Sequence, residues 1–127
     1  MDYIFLLSRV IFGGYFVMSG YGHLRHLPGT TGYAASKRVP MPKLAVIGTG
    51  ILMILSGLGI ISGILVTYAV GGIVLFLFVV SFKMHAFWKE VDPGAKMNEK
   101  IHFTKNMAVL AGALAYLSVS TPWPMSF

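Results

Sequence analysis

The sequence predicts an all-α membrane protein, a bundle of four transmembrane helices with both termini on the non-cytoplasmic side. Three observations carry this expectation. Hydrophobic residues make up 56% of the 127-residue chain and charged residues 11%, with a mean hydropathy of +0.75; a soluble domain carries roughly 25% charge. The apolar residues fall in continuous blocks close to the roughly 20 residues that a helix needs to cross a bilayer. The basic residues gather in two polar loops and leave the other connections bare.

The first span is expected at about residues 3–24, interrupted only by Arg9. The chain opens Met1-Asp2-Tyr3 with no basic n-region and no Ala-x-Ala site, so this span is expected to be retained. A polar stretch from His23 to Lys43 follows, read as a loop with Pro28-Gly29, Pro40 and Pro42. The second span covers about 44–61, Ser62-Gly63 makes an uncharged turn, and the third span covers about 64–82. A second polar loop from Lys83 to Lys100 holds Asp92-Pro93-Gly94. The fourth span, about 103–119, is the shortest apolar run; Lys105 and Asn106 are expected at its interfacial end, with the lysine snorkelling. Thr121-Pro122-Trp123-Pro124 cannot continue a helix. Continuous apolarity, rather than alternation with period two, favours helices over a barrel. Four spans use up the chain as a single domain and leave no room for a soluble catalytic domain.

Orientation follows from charge. The first loop carries Arg25, Lys37, Arg38 and Lys43, and the second Lys83, Lys89, Lys96 and Lys100, with Lys105 just beyond. Both loops are therefore expected in the cytoplasm. Trp88 and Trp123 are expected as aromatic anchors at opposite interfaces. Gly13-Gly14, Gly48, Gly50, Gly59-x-x-x-Gly63, Gly71-Gly72 and Ala108 with Gly112 are expected to let helices approach within the bundle, with homo-oligomerisation through one such face as the lesser alternative. The net charge of +6 is read as a membrane-surface feature and not as nucleic-acid binding.

Few residues are candidates for chemistry. Arg9 lies about a turn and a half inside the first span, where ionisable groups face a bundle interior or a polar cavity. Its possible partners are Asp2, helix C-terminal carbonyls, lipid headgroups or an anionic or quinone-type ligand; the bland reading is an arginine that snorkels outward. His23, His26, His85 and His102 fall at the cytoplasmic ends of three helices. They are candidate contacts for proton exchange or a quinone headgroup, against a bland reading in which histidine merely suits the interface. No metal site is expected. The chain has no cysteine, which excludes CxxC redox chemistry, iron–sulfur clusters and a quinone reductase working through paired thiols. No Asp or Glu falls in the expected spans, which argues against proton-coupled export, and no phosphate-binding glycine loop is present.

The string from Gly32-Tyr33-Ala34-Ala35-Ser36-Lys37 to Pro40, continuing Pro42 to Gly50, resembles the first loop and second helix of DoxX family membrane proteins. So do the opening from Arg9 to Gly20 with His23, and the later His85-Ala86-Phe87-Trp88 with Phe103 to Ala108, which is similar to one DoxX subgroup. The resemblance covers nearly the whole chain. It implies a four-helix fold, a first-helix arginine matched by Arg9, and a place beside quinone-linked redox enzymes. The glutamate that many members carry in the second helix corresponds here to Met53, so a role depending on that carboxylate is not expected.

The reading is therefore an accessory subunit of a quinone-linked membrane redox complex in the plasma or inner membrane, not catalytic alone. It binds no covalent cofactor, contacts lipid and quinone, and docks a membrane partner. The alternatives are a small permease for a neutral or anionic solute, or a structural assembly protein.

Overall fold

A computed structural model describes all residues 1–127. The chain forms five helices, α1 (Asp2–Arg25), α2 (Leu27–Ser36), α3 (Pro42–Ser62), α4 (Val66–Met84) and α5 (Pro93–Tyr116), with a single 3-10 turn at Phe87–Lys89. Three stretches are long and apolar enough to cross a membrane: Asp2–Arg25, Pro42–Ser62 and Val66–Lys89. In a bilayer every backbone polar group must bond within the chain, which the helical ladders satisfy.

Local signals set the helix ends. Proline opens α2, α3 and α5, where its missing N–H costs nothing. The Asp92 carboxylate caps α5 by accepting from the Ala95 N–H at 2.9 Å. Gly63 ends α3 in the left-handed region at φ 79°, where its N–H returns to the Gly59 carbonyl.

Two regions depart from the sequence reading. The first polar stretch is not a plain loop: Leu27–Ser36 folds into α2, which packs on the start of α3. The last helix begins ten residues before the expected 103, at Pro93, and ends at Tyr116. It thereby takes Lys96, Glu99 and Lys100 into regular helix.

Glycine decides how α1 meets α3. A Cβ on Gly13 would lie 2.5 Å from the Gly57 carbonyl oxygen, and one on Gly57 would lie 2.5 Å from that of Gly13. One heptad along, a Cβ on Gly20 would lie 2.5 Å from the Gly50 carbonyl. The reversed order of the two pairs makes the helices antiparallel. Lipid tails are as apolar as leucine, so close packing of backbones, rather than exclusion of water, holds these helices together. Gly13 and Gly50 were expected at contacts, whereas Gly14, Gly48 and Gly71 face open space.

α4 returns along α3 and α5 along α4. The core runs through Phe16, Met53, Ile60, Val70, Ile73, Leu77 and Ala113. Ile11, Leu55, Leu75 and Phe78 stay exposed, as a lipid-facing surface requires. α2 thus lies at the same end of the bundle as the ends of α1 and α4 and the starts of α3 and α5. The α3–α4 turn and the C-terminal tail occupy the other end.

Candidate functional site

Arg9 does not snorkel. It is fully buried, and its guanidinium faces four backbone carbonyls. Nε donates to Ile60 O at 3.1 Å, Nη1 to Pro124 O at 2.6 Å, and Nη2 to Ile61 O at 2.7 Å and Met125 O at 3.3 Å. Ile60 and Ile61 belong to the last turn of α3, whose carbonyls lack intrahelical partners. The sequence reading had named such carbonyls as one option. The guanidinium also lies 5.6 Å from the Phe5 ring centre and 5.4 Å from that of Trp123. A guanidinium has five N–H donors, so one remains uncommitted; the side chain works mainly as a rivet between α3 and the tail.

Trp123 is part of that rivet. It was expected as an interfacial anchor, yet it is only 2% exposed. Its ring packs on Phe5 and Tyr116 at 5.1 and 5.5 Å between centres, and its indole N–H donates to Val119 O at 3.2 Å. Trp88, by contrast, stays half exposed against Phe82, Phe87 and Phe103.

At the opposite end a carboxylate is buried. Glu99 is 4% exposed. One of its oxygens accepts from the Tyr33 hydroxyl at 2.8 Å, and the other faces His85 Nδ1 at 2.7 Å. Lys37 Nζ stands 3.8 Å from Glu99 and 2.7 Å from Glu90. The His85 ring stacks on that of His102 with centres 5.0 Å apart. Residues of α2, the end of α4 and α5 thus converge on one carboxyl group. The helices supply the spacing: Tyr33 and Lys37 lie four apart along α2, and His85 sits just past the last turn of α4.

Charge is unevenly shared there. Burial alone would push the Glu99 carboxyl up, but the bonds from His85 and Tyr33 and the charge of Lys37 hold it below the usual carboxylate range. Burial, reinforced by the bond to Glu99, pushes the Tyr33 phenol well above the ordinary tyrosine value. The group therefore holds a carboxylate at neutral pH, bonded by a hydroxyl that keeps its proton and facing an imidazole, with an ammonium close by.

All four histidines lie at this end of the bundle, but only two of their rings stack on each other. His85 and His102 meet. His23 points its Nδ1 at Ser19 O, 2.9 Å away, so in the neutral ring Nε2 is the acceptor. It lines an apolar cleft of about 290 Å³ under α2, between α3 and α4. His26 is exposed where α1 gives way to α2. No group of three metal-ligating side chains occurs.

Glu99 was missed because the sequence reading placed it in a loop. A signal was present: Glu99, Asn106 and Ala113 recur at intervals of seven and are all buried on one face of α5. Of its partners, His85 is among the candidate histidines of the sequence, Lys37 enters there as a loop charge that sets orientation, and Tyr33 only as part of the string that resembles the DoxX loop.

An all-helical chain with several long apolar helices defines a small multi-pass membrane protein. The chain belongs to the DoxX family, whose family model matches residues 4–86. That match takes in Arg9, His23, Tyr33, Lys37 and His85 and ends before Glu99 and His102. No curated protein and no solved structure matches the chain.

Proposed function

We propose that the chain is a small accessory subunit of a quinone-linked membrane redox complex, handling protons rather than electrons. The observation that carries this reading is the buried Glu99 carboxylate held between Tyr33 and His85, with His102 stacked on the imidazole. Quinone reduction and oxidation take up and release protons. A carboxylate–imidazole pair at the basic end of the bundle can pass them, because a neutral imidazole donates through one nitrogen while accepting at the other. The chain has no thiol with which to carry electrons itself, so electrons belong to a partner.

In this reading α5 is the fourth span, entering the bilayer near Phe103. From Phe103 to Tyr116 the helix is only about 21 Å long, so this span crosses where the bilayer thins around it, and the basic residues at its start remain in the cytoplasm. Both termini then face out from the plasma or inner membrane, and the Arg9 rivet seals the outer end. The Glu99 group lies on the cytoplasmic side, where protons for a quinone site are drawn.

Purification from membranes in mild detergent tests the assignment. It expects a quinone-reactive protein to co-purify at a fixed ratio. Recovery of the chain alone, from cells grown under several respiratory conditions, would overturn it.

A further inference from the structure

The cleft under α2 has a feature that the proton-handling reading does not use. Its walls are almost wholly apolar, contributed by Val46 and Leu52 of α3 and by Phe76 and Val79 of α4. At the same end of the bundle as Glu99, the lining changes character and includes Lys83 and His23. Lys83 has no ion-pair partner, while Lys37 nearby is fully engaged by Glu90 and Glu99. No acidic side chain lines the cleft. Val79 and Leu75 on its margin are more than half exposed, so it opens sideways onto the surface that faces lipid.

We infer that this cleft holds one acyl chain of an anionic phospholipid, with the headgroup phosphate against Lys83. The shape fits: about 290 Å³ falls just short of the roughly 300–1,000 Å³ typical of small-molecule sites, which suits part of one chain rather than a bulky polar ligand. The charge fits as well. An unpaired ammonium at the mouth of an apolar slot complements an amphiphile with one negative head, and His23 adds a second nitrogen at that level. A neutral amphiphile fills the slot equally well but leaves Lys83 unanswered. The site joins α1, α2, α3 and α4, so the bound chain serves as a packing element between α2 and the α3–α4 pair. This inference stands apart from the role given to Glu99.

Native mass spectrometry of the delipidated protein tests it, using dioleoyl-phosphatidylglycerol, dioleoyl-phosphatidylcholine and a neutral isoprenoid quinone as competing probes. The wild type should retain one phosphatidylglycerol about fivefold over phosphatidylcholine, the size of one surface lysine contact. Lys83→Gln should bring that ratio near one, Lys89→Gln should leave it unchanged, and Val79→Trp should abolish retention of either lipid. Equal retention of the two lipids by the wild type, an unchanged ratio in Lys83→Gln, or preferential retention of the quinone would each overturn the inference.

Discussion

Tyr33 and His85 hold the two oxygens of a single buried carboxylate, at 2.8 and 2.7 Å. Glu99, which receives both, thereby ties α2 to the end of α4 through α5. Without it, the His85 imidazole would be left short of a partner where little water reaches, while the Tyr33 phenol would turn to solvent. The clasp is thus a polar junction of three segments and the group through which we propose that protons move.

Glu99→Ala should therefore lower stability by about 1–3 kcal/mol, the cost of leaving the largely buried His85 imidazole without its partner, since the Tyr33 phenol can turn to water. The pH dependence has two limbs. The folded carboxyl is depressed, so its contribution is present above the ordinary carboxylate pKa and fades as the pH falls through the lower folded value. The Tyr33 phenol is raised, so its contribution is present below the ordinary tyrosine pKa of 10.0 and fades as the pH rises through the higher folded value. Thermal unfolding in detergent across pH should show a plateau with both ends falling. Glu99→Gln should flatten the acid limb and Tyr33→Phe the alkaline one; variants that track the wild type at every pH would contradict the clasp.

The glycine contacts make a sharper packing test. Gly57→Ala and Gly20→Ala drive a methyl group against a backbone carbonyl of the facing helix, which cannot swing aside. Each should cost about 1–3 kcal/mol by overpacking. Gly14→Ala meets nothing and should be neutral or slightly stabilising. Membrane abundance and unfolding temperature of the three variants decide the matter, and equal behaviour would refute the α1–α3 register.

Arg9→Lys should be far from silent. An ammonium offers three donors from a single point, whereas four carbonyls on two segments are met here by a planar fork. Both Arg9→Lys and Arg9→Met should release the tail, at a cost of about 2–3 kcal/mol from carbonyls left unpaired. In a Trp88→Phe background the emission of Trp123 should then shift to the red as its ring leaves Phe5 and Tyr116. Unchanged emission in Arg9→Met would mean that the tail is held by other contacts.

The apolar helices and the helix-approach role of Gly13 and Gly50 were legible because they are written as runs and local spacings. The clasp was not, because Tyr33, His85 and Glu99 lie in three segments that only tertiary packing brings together. α2 was hidden by Pro28, Gly29 and Gly32, which read as loop chemistry, although proline fits the first turn of a helix and the packing of α2 on α3 outweighs the glycines. Arg9 was legible as an intramembrane charge. Its partners were not, since two of its four carbonyls come from a tail that the prolines at 122 and 124 merely mark as non-helical.

The central claim, that the Glu99 group moves protons for a quinone-linked partner, is tested most directly by turnover of the isolated complex across pH. Wild type and Glu99→Gln would be compared at matched subunit ratios, because glutamine still accepts from Tyr33 but cannot take up a proton. The account expects Glu99→Gln complexes to assemble normally and to turn over quinone about tenfold more slowly, with a flattened pH profile. An assembled Glu99→Gln complex with wild-type turnover and an unaltered profile would contradict it.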